Sequence, residues 1–175
     1  EALFALRERA IAHLRDRLQA DAVEIIAFVR SPDKLLLSLY NQMVKGPTNQ
    51  FSKPLSSVLK APRSLHPDLD MQKCVQSWSS VFGRDNVHLL CYENGSPLGQ
   101  VLRILRVPEN TVQASLQANP SVPHAFAEVM RLSKTSGVPP DLRRKLYGVA
   151  SRVFEGFPKP GLTDTETRAI LQEFE

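Results

Sequence analysis

Two side chains in this sequence are typed and spaced for holding an anion: Arg30, at the end of the run AVEIIAFV, and Ser38, eight residues later. A guanidinium can clasp a phosphate through two parallel charge-assisted hydrogen bonds, each contributing ~1.5–3 kcal/mol net. A hydroxyl about two helical turns further on can donate to the same anion if the residues between are helical. Ser31-Pro32 supplies a start for that helix, because serine caps well and proline loses nothing as the first helical residue. At 100° per residue, Leu36, Leu39, Tyr40 and Met43 share one face, flanked by Leu35, Leu37 and Val44. Ser31, Lys34, Ser38, Asn41 and Lys45 form a narrow polar stripe opposite. An ordinary solvated helix face has the same look, and a serine such as Ser38 often bonds back to the carbonyl four residues earlier, here that of Lys34. Residue types alone therefore stop at an anion site.

The elements that must carry these side chains follow from periodicity. AVEIIAFV (22–29) is short, β-branched and almost continuously apolar, which predicts a strand of a parallel sheet buried on both faces. Arg30 then falls at the carboxyl edge, where open α/β sheets take their ligands. A helix runs to about Lys45 and stops at Gly46-Pro47. NVHLLCY (86–92) is the second strand, preceded by a helix over 70–82 that closes at Gly83 and followed by one over 98–105 opened by Gly95-Ser96-Pro97. An amphipathic helix is expected over 2–19 and a short one at 54–60, in a Pro- and Ser-rich surface excursion. Helices over about 122–134, 140–155 and 164–174 form a helical C-terminal layer, and Thr163 with Glu166 makes a capping box for the last. The sum is an α/β fold with few parallel strands and many helices, in one domain over 1–175.

Composition narrows the partners. A net charge of +4 spread along the whole chain favours anionic ligands but lacks the basic stripe that nucleic acid requires. No apolar run approaches the roughly 20 residues of a membrane span, and no secretory signal opens the chain, so a cytoplasmic location is expected. Without such a signal the Asn94-Gly95-Ser96 sequon reads as accidental. Cys74 and Cys91, with four scattered histidines, have no ligand spacing; no metal site and two reduced thiols are expected.

The segment IIAFVRSPDKLLLSLYNQ (25–42) resembles the 3′-phosphate-binding segment of the sulfotransferases that use 3′-phosphoadenosine 5′-phosphosulfate. That pattern is a buried strand, Arg, a variable residue, Pro, Ser eight positions after the Arg, and often an aromatic; Arg30, Pro32, Ser38 and Tyr40 stand at its places. A second block, WSSVFGRDNVHLLCYENGSPLGQVLRILRV (78–107), is similar to the family's Trp, Phe-Gly, strand, Tyr-Glu and helix, and the remainder is similar to its bacterial and heparan-type branches. The resemblance implies a P-loop-like sulfotransferase fold, with Arg30 and Ser38 on the 3′-phosphate and Tyr92 against the adenine. It implies a nucleotide cosubstrate, a bisphosphate product (adenosine 3′,5′-bisphosphate), and an acceptor hydroxyl or amine of unassigned class. Tyr92 reads equally as a strand-end tyrosine filling the core edge. Glu93 reads as an anchor for the turn, and Arg143-Arg144-Lys145 as a solvated helix face.

The family's Gly/Thr-rich loop, its lysine and its general base lie upstream of the Arg strand and have no counterpart in this sequence. The expectation is that the chain, which opens inside a helical pattern without a Met, is either cut from something longer or is a degenerate homologue. The rival reading is a nucleotide-binding or interaction module without transfer activity. A nucleotide kinase would need GxxxxGK[ST], which is absent, and a helical scaffold would need AVEIIAFV to be helical.

Overall fold

The two apolar runs pair side by side as parallel strands, and helices account for most of the rest. The computed structural model describes residues 8–66, 69–108 and 122–174. Among them the fold is mixed α/β, mostly helical, with a two-stranded parallel sheet. The elements are α1 (Glu8–Leu18), β1 (Ile25–Val29), α2 (Pro32–Lys45), α3 (Leu55–Leu59), α4 (Met71–Phe82), β2 (Val87–Cys91), α5 (Pro97–Ile104), α6 (His124–Thr135), α7 (Pro140–Val153) and α8 (Asp164–Glu173). By contacts the chain groups into two compact units, Glu1–Arg30 with Asp70–Gln117, and Ser31–Leu69 with Ala118–Glu175.

In the first unit β1 and β2 run in register from Ile25 opposite Val87 to Val29 opposite Cys91. Strand pairing starts three residues later than the apolar run does. A 3-10 turn over Arg84–Asn86 precedes β2, so residues 22–24 have no partner strand to meet. One sheet face, through Ile25 and Val87, packs on a core of Ile11, Trp78, Val81 and Phe82 supplied by α1 and α4. Trp78 and Phe82 stack at 5.7 Å, and Arg15 donates to the Val81 carbonyl at 2.7 Å, tying α1 to the end of α4. Asp70 caps α4 through the Lys73 N–H, and Gly83 ends it at φ +87°, a conformation that L side chains avoid. Burial on both faces does not hold for these strands. Only Ala27 of β1 is buried, and Leu89 of β2 is exposed, because the pair lacks further strands among the described residues.

In the second unit the predicted apolar face of α2 supplies Leu36, Leu39, Tyr40 and Val44 to a core shared with Val58, Phe126, Met130, Ala150 and Ile170. The Thr163–Glu166 capping box is present, with both reciprocal hydrogen bonds formed. These bonds hold the Glu166 carboxyl below its ordinary pKa. Among the described residues no helix is long and apolar enough to cross a membrane.

Candidate functional site

Arg30 is the first residue past β1 and Tyr92 the first past β2. With Val29 opposite Cys91, the parallel register delivers both to the carboxyl edge of the sheet. The Tyr92 N–H donates to the Val29 carbonyl at 2.9 Å, extending the ladder by one bond and fixing the ring beside Arg30. The Arg30 guanidinium lies 5.2 Å from the Tyr92 ring centroid, a cation–π distance. Phe28, two residues before Arg30, meets the same ring edge-on at 6.4 Å. Phe28, Tyr92 and Arg30 thus form a cluster at the sheet edge, with Arg30 over the Tyr92 ring and Phe28 perpendicular to it.

One carboxylate completes the cluster. Arg30 Nε donates to Glu93 Oε1 at 3.2 Å, and the Cys91 thiol donates to Glu93 Oε2 at 3.4 Å. The Arg30 and Glu93 side chains keep 33% and 26% of their surface. Behind them α5 is capped by Ser96 through the Gly99 N–H, and Gln100 reaches the Cys91 carbonyl at 3.0 Å, which pins the strand end. Glu93 therefore anchors Arg30 rather than only the turn that follows it. The contact engages one edge of the guanidinium. The two terminal nitrogens, the pair that grips a phosphate in a forked contact, hold no partner among the described residues.

Ser38 belongs to the second unit, half-buried on α2. Its hydroxyl makes no hydrogen bond among the described residues, so the back-bond to the Lys34 carbonyl does not form. Two neighbours on the same helical stripe are also unpartnered there: Ser31 Oγ and Asn41 Oδ1 are shielded from solvent without a hydrogen bond. Asn41 is only 4% exposed. The polar stripe is consequently solvated only in part, with Lys34 exposed and Asn41 buried, and burial pushes the Lys45 ammonium below its ordinary pKa. The predicted side-chain cap from Ser31 is missing as well. Only the Ser31 carbonyl serves the helix start, accepting from the Leu35 N–H at 2.9 Å. Tyr40, the aromatic of the motif, is a core residue edge-on to Phe51, its phenol pushed up to about 12 by burial and the Glu128 charge.

The second unit also holds two cations that the pattern did not announce. Lys134 is buried and donates to the Met43 and Val44 carbonyls at 3.0 and 2.6 Å and to Asn49 Oδ1 at 2.7 Å. It thereby satisfies carbonyls that the last turn of α2 leaves open. Arg143, 1% exposed, donates to the Asn49 carbonyl at 3.0 Å. This corrects the reading of Arg143-Arg144-Lys145 as a solvated face, which holds for the latter two alone. Burial and the nearby Arg143 charge lower the Lys134 ammonium to about 8. The signal was available: Lys134 lies four residues after Met130, and Arg143 seven before Ala150, both on apolar faces.

Comparison with protein-family models, with curated proteins and with solved structures returned no match for this chain.

Proposed function

We propose that the chain is the 3′-phosphate-binding part of a sulfotransferase of P-loop-like fold, using 3′-phosphoadenosine 5′-phosphosulfate as donor. The observation that carries this reading is Arg30 at the carboxyl edge of two parallel strands, anchored along one side by Glu93 with its two terminal nitrogens open. Tyr92 beside it offers a flat face to a base, and Ser38 keeps an uncommitted hydroxyl.

The reaction transfers a sulfuryl group to an acceptor hydroxyl or amine with adenosine 3′,5′-bisphosphate as product. In that scheme Arg30 and Ser38 act on binding and register. Such chemistry depends on holding the leaving nucleotide in line with the acceptor and on balancing its charge. The second reading, a nucleotide-binding module without transfer activity, draws on the Glu93 carboxylate, which offsets part of the charge that Arg30 would give a phosphate.

Titration calorimetry tests the proposal. Adenosine 3′,5′-bisphosphate should bind more tightly than its 2′,5′ isomer, and Arg30→Ala should weaken the former by ~2–4 kcal/mol, the loss of a forked ionic contact. Equal affinity for the two isomers, or no effect of the substitution, rejects the role.

A further inference from the structure

Helix α7 carries more apolar surface than its own unit covers. Its inner arc, with Arg143, Leu146, Ala150 and the following Phe154, faces the core. Leu142, Val149 and Val153 nevertheless stand 52%, 54% and 60% exposed. Placed at 100° per residue, these three fall within a narrow stripe that borders Leu146. The order Leu142, Leu146, Val149, Val153 steps by four, three and four residues, the spacing of a coiled-coil seam. Along the outer border of the stripe lie Lys145 and Arg152, seven residues apart and both exposed. Neither has a carboxylate partner among the described residues; Arg152 Nε turns back to the Gly148 carbonyl, whereas Arg144, further round the helix, pairs with Asp141.

We infer that this face of α7 docks an amphipathic helix of another protein whose apolar seam is flanked by acidic side chains. The charges select that occupant. A second copy packed antiparallel would set Lys145 and Arg152 against their own counterparts, and like charges facing each other across a seam are repulsive. A parallel copy would direct Lys145 toward Ala150 of the other chain, which is buried in its own unit's core. An acidic flank meets the two cations and lets Leu142, Val149 and Val153 leave water together.

The probes are two three-heptad synthetic helices with leucine along the seam, one flanked by glutamate and one by lysine, titrated into the full chain by fluorescence anisotropy. The glutamate helix should bind and the lysine helix should not. Lys145→Glu with Arg152→Glu should weaken the glutamate helix about tenfold or more and admit the lysine helix instead. Val149→Asp should remove binding of both. All three positions are solvent-exposed, and unchanged circular dichroism checks that the fold survives. Equal binding of the two helices, or of neither, overturns the inference. So does a Val149-dependent dimer in sedimentation, which would make a second copy the occupant. Binding to phosphatidylserine vesicles that the charge reversal abolishes, without helix binding, would make the face a membrane contact and likewise overturn it.

Discussion

Cations sit in two contrasting settings in this protein. At the sheet edge Arg30 keeps a third of its side-chain surface, leans on one aromatic ring, and has one carboxylate along one edge. Beneath α2, Lys134 is buried and every one of its three donors meets a protein oxygen. The first arrangement leaves hydrogen-bonding capacity open, while the second uses all of it. Saturation marks Lys134 as a cation that holds the fold together, and the uncommitted nitrogens mark Arg30 as one available to a ligand.

Removing the saturated cation should have the largest effect. Lys134→Met keeps the length of the side chain but deprives the Met43 and Val44 carbonyls and Asn49 Oδ1 of their donor. A loss of about 3 kcal/mol is expected, since buried polar groups left unpaired cost about 1–3 kcal/mol each before relaxation. Urea unfolding at neutral pH measures it. A shift of the midpoint equivalent to under 1 kcal/mol would mean that the helix end is solvated and the contrast false.

The pH dependence sharpens the same point. The Lys134 ammonium titrates near 8 in the folded chain and at its ordinary value, 10.5, when unfolded. Between those values the unfolded chain binds the proton more tightly, so stability should rise with pH across roughly 8 to 10.5. Below about 8 both states are protonated and this contribution is flat. Urea midpoints taken at steps through the window should climb in the wild type and lose that climb in Lys134→Met. Parallel curves for the two proteins would remove Lys134 as the source.

Arg30→Ala should behave in the opposite way, with a stability loss under ~1 kcal/mol, as partly solvated ion pairs contribute little. A loss of several kcal/mol on unfolding would move Arg30 into the structural class and take the anion site with it.

These two settings were unequally legible in the sequence. The α/β class, the parallel pair and the helix starts at Pro32, Pro97 and Pro140 follow from local rules: β-branched runs, proline at first helical positions, and the Thr163 box. The strand limits did not, because β1 begins where Val87 can meet it rather than where apolar residues begin. Arg30 and Tyr92 were visible as strand-end residues, but their adjacency depends on register, which one chain segment cannot state. The same holds for Glu93, 63 residues from the arginine it anchors. Lys134 and Arg143 lay on apolar faces in plain view, yet a basic residue reads as solvated until carbonyls from another segment, here Asn49 and the end of α2, are placed around it. Asn41 is the converse case, a polar stripe position that tertiary packing covers. Long-range pairing decided each of these, and periodicity is blind to it.

The smallest expected effect is the most discriminating. Glu93→Gln keeps an oxygen to accept from Arg30 Nε, so the guanidinium stays in place, but it removes the negative charge beside the open edge. Stability should change by less than ~0.5 kcal/mol, because the pair is partly solvated. Affinity for adenosine 3′,5′-bisphosphate should rise, by about 0.5–1 kcal/mol, since one like charge near the phosphate is gone and solvent screens the remainder. The gain should shrink at high salt. If affinity falls instead, Glu93 serves the ligand by positioning Arg30 through its charge, and an amide is too weak an anchor. If affinity is unmoved while Arg30→Ala still abolishes binding, the phosphate lies beyond the reach of Glu93, on the terminal nitrogens alone. Calorimetry at two ionic strengths separates these outcomes and fixes how much of the uncommitted edge the nucleotide uses.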